Sequence, residues 1–557
     1  MTDAVRGVSM KMIGLDDESR QMALDVVDKL KTRLLTREAI LEYDRKEIFP
    51  EDVIRKMLGP DIGLQLLFIP EAYGGMGGGA RDCCELTRKM AGICLGVATA
   101  FFAIQLGADP IIVGGTEAQK EKWLGAIAEG TSLVAYAVTE PNAGSNLAAL
   151  KTRGEPVLNQ SGGVTGYRIN GNKQFISTGG YADFITLLAD TPEGPTFFVV
   201  EKGTPGFDQG KGEEKHGIRA SNTSPLSFTD VFVPVENLIG GVPGLGLKQA
   251  NEVFGYTRLM VAAMALGAGE AALSIAISYA MDRIQFGSPL SEKQGYTHKL
   301  IVPHVVRMAA AAAYIDEIAY RLDSGETDLQ VEGAIAKVFA TETANRAADD
   351  AMQALGGYGY ITEFGVEKIK RDVKITCIYE GTSEIQQNIL STFRWKKTWK
   401  SKGRFYLSMA EEMDNLCLEF SNTGCRFYAQ AARTLNHLII LAHEKRLTRE
   451  QYVMFLLADM MTYTEVGIAL ARKTACLTRN QDAQAEIYHI HSRLFAAETA
   501  DLIAKNSLKI AMGSGTVVEP DMVEFMKTIN YASLVAAAEN SIVDMDMAAK
   551  HIFKKAS

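Results

Sequence analysis

The chain of 557 residues is 47% apolar and 22% charged, an ordinary globular composition, and long enough for three or four domains of roughly 100–200 residues. Its net charge of −9 excludes a dedicated nucleic-acid binder, which needs a basic stripe, but still admits an anionic small ligand held by a few arginines. Seven cysteines with no CxxC pair point to a reducing compartment and no structural zinc, and no metal site is expected.

The opening MTDAVRGVSMKMIGLDDESR has no apolar core and carries several acids, unlike a secretory signal or a transit peptide. Residues 1–130 read as a helical domain. DDESRQMALDVVDKLKTRLL, the run 82–106 and TEAQKEKWLGAIAEG carry it, the last capped by Thr116. Residues 131–243 change texture. SLVAYAVTE, FITLLAD, TFFVVEKG and LSFTDVFVP are short β-branched and aromatic runs with no helices between them, which predicts a largely antiparallel barrel or sandwich. Residues 244–395 return to long Ala-rich helices, apolar over wide faces, that should pack on one another. Their least charged stretch, 261–281, is interrupted by Glu270 and two glycines, so a buried helix is expected rather than a membrane span. Residues 396–557 read as a further helical domain, with the basic RWKKTWKSKGR as its linker. The fold class is α+β, mainly α, and a soluble cytoplasmic protein is expected.

Several motifs carry chemistry or imitate it. YGGMGGGA (73–80) mimics a dinucleotide fingerprint, but four residues separate it from the apolar run before it and no acid follows near twenty residues on. The histidines of YHIHSR (488–493) are two apart, and on a helix they do not face each other. No GxSxG nucleophile elbow occurs. VTEPNAGSN (138–146) is a compact polar loop that either binds a polar ring or phosphate or simply connects strands. RIQFG (283–287) and QALGGYGY (353–360) are helix ends. In IYEGTSEIQ (378–386), Ser383 and Gln386 fit a capping box, with Thr382 as a second cap candidate, so a helix should start at 382–384. That leaves Glu380 pinned at the mouth of a turn, either a solvated loop acid or a functional one.

Taken together, AYAVTEPNAGSN, GNKQFISTGGYADF, DRIQFG, QALGGYGY and CIYEGTSEIQ, in that order, resemble the acyl-CoA dehydrogenase family over roughly residues 15–390. The tail resembles the extra C-terminal helical domain of the very-long-chain type. The resemblance implies FAD, an acyl-CoA substrate and an electron-transferring flavoprotein as partner. It further implies a homo-oligomer, with a dimer favoured over a tetramer, and peripheral membrane association through the C-terminal domain. Tyr136, Val138, Thr139, Gly144, Ser145, Phe175, Ser177, Thr382 and Glu384 fall at flavin-side positions, with Phe175 and Ser177 where the family has Trp and Thr. Arg283, Phe286, Gln353 and Gly357 fall where the diphosphate and adenosine end binds across the dimer. Ser145, Arg258, Tyr379 and Gly381 match CoA or thioester positions. In the helix that floors the acyl pocket, Ala98 leaves room and Phe102 blocks. Glu380 matches the catalytic base that takes the α proton while flavin N5 accepts the β hydride, giving a trans-2-enoyl-CoA in β-oxidation. Asn146 and Gln387 stand where Asp and Arg are common. Alternatives are the same scaffold run in reverse as an enoyl-CoA reductase, an oxidase, and a non-catalytic assembly or membrane-docking protein.

Overall fold

Three N-terminal helices begin where a side chain can accept the first free amides. Asp16, Thr36 and Thr116 accept from Ser19, Ala39 and Gln119 respectively, and Gln119 returns the bond to complete a capping box. The computed structural model describes residues 14–516 and 519–556, so the reading of residues 1–13 lies outside it. The N-terminal domain holds α1 (Asp17–Arg33), α2 (Arg37–Lys46), α3 (Glu51–Leu58), α4 (Ala80–Ile93), α5 (Leu95–Gly114) and α6 (Glu117–Ala128). The run 82–106, expected as one helix, is two, because Cys94 is extended at φ −159° and ψ 112°. The glycine-rich 73–80 stretch follows 3-10 turns, not a strand. Its glycines serve close packing: a Cβ on Gly75 would lie 1.9 Å from the Ile69 carbonyl oxygen.

The middle domain is one seven-stranded curled sheet of β1 (Val134–Ala137), β2 (Arg153–Leu158), β3 (Val164–Ser177), β4 (Phe184–Thr191), β5 (Gly194–Glu201), β6 (Phe207–Gln209) and β7 (Thr223–Pro234). The order is β1-β4-β2-β3-β7-β6, with β5 on the other side of β4. Pairing is antiparallel except where β4 runs parallel to β1 and touches β2. The register of β3 on β7 shifts between Lys173 and Ile176, a bulge that re-aims the residues inside it.

Next come α7 (Gly246–Asp282), a small hairpin of β8 (Ile284–Gln285) and β9 (Ser288–Pro289), α8 (Gln294–Leu300), α9 (Val302–Asp323), α10 (Gln330–Leu355), α11 (Val366–Val373) and α12 (Ser383–Lys400). α7 packs on α10, α9 and α4, so the bundle and the N-terminal domain share one apolar core. The added helices are α13 (Arg404–Glu419), α14 (Cys425–Glu444), α15 (Gln451–Arg479), α16 (Ala485–Gly513), α17 (Glu519–Ile529), α18 (Tyr531–Val535) and α19 (Ser541–Ala556). The basic stretch expected as a linker is instead the end of α12, and the chain turns only at Ser401–Gly403. α5, α7 and α15 are long and apolar enough to cross a membrane, yet 83%, 72% and 78% of their most apolar windows are buried within the fold.

Candidate active site

Glu380 sits three residues before the last bundle helix, at φ 55°, with Gly381 following at φ 88°. Only the second of these is a glycine, so the strain of a left-handed side-chain-bearing residue falls on the acid itself. Three contacts hold the turn. Gln386 donates from Nε2 to the carbonyl oxygens of Glu380 (2.9 Å) and Gly381 (3.1 Å). Lys337 donates from Nζ to the Gly381 carbonyl. Thr382, not Ser383, caps α12 by accepting from the Ile385 amide, while the Ser383 hydroxyl turns away to Glu342 at 2.6 Å. The Ser383–Gln386 capping box therefore does not form.

The carboxylate of Glu380 accepts from the Thr257 hydroxyl at 3.1 Å. The residue as a whole is half-buried, and its carboxyl is enclosed by protein. Burial raises its pKa above the ordinary glutamate value, and the Thr257 bond and the charges of Arg258 and Lys337 partly offset this. Burial lowers Lys337 to about 8. Tyr136 has a buried hydroxyl without a partner, the Tyr379 hydroxyl is buried beside Thr99, and Arg258 is buried with its Nε unpartnered. Ala98 and Phe102 are buried on α5.

The β1 exit loop is anchored from beneath. Glu140 accepts from the Lys151 amide (2.7 Å), the Thr152 amide (3.0 Å) and buried Lys173 (2.8 Å), and Lys173 also donates to the Val138 carbonyl at 3.0 Å. The Gln174 amide donates to the Thr139 carbonyl, which lays Val138 and Thr139 beside Phe175 and Ser177. Gly144 and Ser145 sit exposed farther along the loop. Phe175, inside the β3 bulge at φ 60°, leaves 63% of its surface uncovered.

Arg283, Gln353 and Gly357 gather elsewhere, around a cavity of about 490 Å³ at the far end of α7. Phe286 lies outside it on the β8–β9 turn, 98% exposed. From Arg258 to Arg283 the helix runs roughly 37 Å at 1.5 Å per residue. The two sets of predicted cofactor residues are therefore not brought together within one chain. Glu384 is exposed on the first turn of α12. Thr257, Lys337, Gln105 and Asp109 also border this region and were not singled out from the sequence. Their one signal is a polar or charged residue inside an apolar helical run.

Family models for the N-terminal, middle and C-terminal domains of acyl-CoA dehydrogenase match residues 17–131, 135–231 and 244–393. The chain belongs to the acyl-CoA dehydrogenase family. It is 39% identical over 359 residues to the short-chain-specific acyl-CoA dehydrogenase of Megasphaera elsdenii, covering 62% of this chain and 90% of that relative. It is 38% identical over 355 residues to the NADH-type acryloyl-CoA reductase of Anaerotignum propionicum, covering 63% of this chain and 88% of that relative. The crystal structure of an acyl-CoA dehydrogenase complexed with FAD from Bacillus anthracis has the same fold through the added helices. Its TM-score is 0.84 at 24% identity, over 97% of this chain and 96% of that one.

As a member of this family the protein is an FAD-dependent enzyme. The residues present fit that cofactor. Phe175 offers an uncovered aromatic face beside the Thr139 backbone. Gly357 supplies a backbone that the chain's own packing leaves clear, since a Cβ there would meet nothing within 4 Å.

Proposed function

We propose that the protein oxidises an acyl-CoA thioester to the trans-2-enoyl-CoA in fatty acid β-oxidation, with Glu380 as the base that takes the α proton. The observation that carries this reading is the position of Glu380: an enclosed carboxylate, aimed by a left-handed turn and held by the Thr257 hydroxyl. The α proton of a thioester is very weakly acidic. A desolvated glutamate with a raised pKa is a stronger base than one in water, and its fixed rotamer supplies the orientation. FAD, when bound, supplies the acceptor for the two electrons that leave with the β hydrogen.

Val138, Thr139, Phe175, Ser177 and Thr382 would hold the cofactor's ring end, with Tyr136, Gly144, Ser145 and Glu384 around it. Arg283, Phe286, Gln353 and Gly357 would hold the diphosphate and adenosine end of a cofactor seated in a second copy. The roughly 37 Å separation along α7 supports that assignment and a homodimer. Arg258, Tyr379 and Gly381 would line the thioester end, with the Glu380 N–H as one donor to the developing enolate oxygen. Electrons would pass to an electron-transferring flavoprotein, in the cytoplasm.

Anaerobic mixing with a panel of acyl-CoAs tests this directly: a matching thioester bleaches the flavin. E380Q should slow that bleaching by about 10²–10⁴-fold while leaving thioester binding intact. Near-normal bleaching by E380Q would remove the base assignment. A second reading, reduction of an enoyl-CoA, is favoured by the likeness to a protein named acryloyl-CoA reductase. Redox titration with saturated and unsaturated ligands separates the two directions.

A further inference from the structure

α5 is an apolar helix, yet its second half carries Gln105 and Asp109, four residues apart and thus on one face. Asp109 is the single ionisable carboxyl between residues 93 and 116. Both side chains are deeply buried, at 3% and 6% exposure. Gln105 Oε1 and Asp109 Oδ2 nevertheless have no hydrogen-bond partner in the protein, nor does the hydroxyl of Tyr136 on the facing strand β1. α5 presses on that strand closely: at Gly107 a Cβ would lie 3.1 Å from the Ala135 backbone.

Asp109 lies within electrostatic reach of Glu380, and Tyr136 within reach of both. Gln105 uses its amide nitrogen to hold the Tyr256 hydroxyl at 2.8 Å, and Tyr256 precedes Thr257, the residue bonded to Glu380. Leaving a buried polar atom unpaired is unfavourable, so three such atoms near one another call for a polar occupant. Burial raises the pKa of Asp109 well above the usual carboxylate range.

Resting on the acyl-CoA reading of this site, we propose that Asp109, Gln105 and Tyr136 form a polar subsite for an acyl group that bears an uncharged hydroxyl or keto function beyond its β carbon. The preferred substrate is then an oxygenated acyl-CoA rather than a plain fatty acyl-CoA. An ionised group on the acyl chain would be repelled by Glu380 and would lack a facing cation on α5, the buried Arg258 being taken up at the thioester end. Phe102, bulky and buried on the same helix, limits the chain to a short one.

Matched pairs test the proposal: butyryl-CoA against 4-hydroxybutyryl-CoA, valeryl-CoA against 5-hydroxyvaleryl-CoA, and hexanoyl-CoA against 6-hydroxyhexanoyl-CoA. Each is mixed anaerobically with the holoenzyme and is also titrated calorimetrically. The wild type should favour the hydroxylated member of at least one pair by about 10²-fold or more in kcat/KM, since a site built to hydrogen-bond rejects the analogue that lacks the group. D109L should abolish the preference and D109N should keep most of it. If D109L does not fold, Q105L serves, with the preference reduced. Equal or better use of the plain member in every pair, with water filling the subsite, overturns the proposal while leaving the dehydrogenase reading intact. If no thioester bleaches the flavin, that reading fails instead. Calorimetry then decides the subsite alone: tenfold tighter binding of a hydroxylated thioester upholds it, and equal binding overturns it.

Discussion

Among the described residues, the Thr257 hydroxyl is the one neutral side-chain donor on the Glu380 carboxylate, the proposed base, and it lowers a pKa that burial raises. A base works only when ionised, so the flavin-reduction rate should climb with pH through the Glu380 pKa and then level off. That rise should lie above the ordinary glutamate range. T257V removes a bond made to the charged form and should move the rise to still higher pH. Stopped-flow reduction across pH checks this, and an unmoved profile would show that the contact does not act on the reacting form. The turn that holds Glu380 was legible in the sequence because its neighbours, an apolar run before it and a helix cap after it, are local, whereas the acid's role came only as what the family resemblance implies. Thr257 was not, because its role comes from a residue 123 positions away. Asp109 and Lys337 share that difficulty: each is one polar residue on an apolar helix until folding supplies its neighbours. Gln386 was misread for a similar reason. Its spacing fits a cap, but the strained turn offers it two carbonyls instead.

Among the elements, the β1 exit loop and strand β3 act as a unit joined by the Lys173–Glu140 pair. Lys173 is fully buried, and burial lowers its pKa to about 8 even with Glu140 beside it. K173M would leave Glu140 buried without a counter-charge, at a cost of about 3–5 kcal/mol. Urea unfolding should show the lower midpoint, and the purified variant should retain less flavin, because Val138, Thr139 and Phe175 hang on this pair. Retention equal to the wild type would mean that the loop is held by other contacts. The strand texture of 131–243 was readable from composition, but the bulge at 174–175 was not, since neither Gln174 nor Phe175 is a turn-forming residue. The break at Cys94 escaped because Cys94 itself is not a turn-forming residue, while Gly92 and Gly96 beside it lie inside the two helices. The basic stretch after residue 393 was misread because charge was taken for a linker. Ser391, Arg394 and Thr398 are buried at helical spacing, and the lysines between them are the solvated face.

For the whole molecule, the added helices are tied to the bundle through buried charge. Arg394 on α12 donates from Nε to one oxygen of Glu465 on α15 and from Nη2 to the other, both at 2.8 Å, and to Glu332 on α10 at 2.9 Å. Tyr406 on α13 adds a bond to Glu465 at 2.9 Å. R394M strands two buried carboxylates and should cost about 3–5 kcal/mol, seen as a lower thermal midpoint. Adding E332L and E465L should restore most of the loss, and a fall that persists in the triple variant would point to lost packing instead. The layer order of helices, sheet and helices was legible from texture alone. The seam was not, since its members are scattered from 332 to 465. α12 joins these scales. It begins three residues after Glu380 and ends among the added helices, a rigid rod of about 27 Å. A tilt of one degree about its far end swings its near end by about half an ångström. The tail is thus a lever whose short throw reaches the acid, and an event at a remote surface can register in chemistry it never touches.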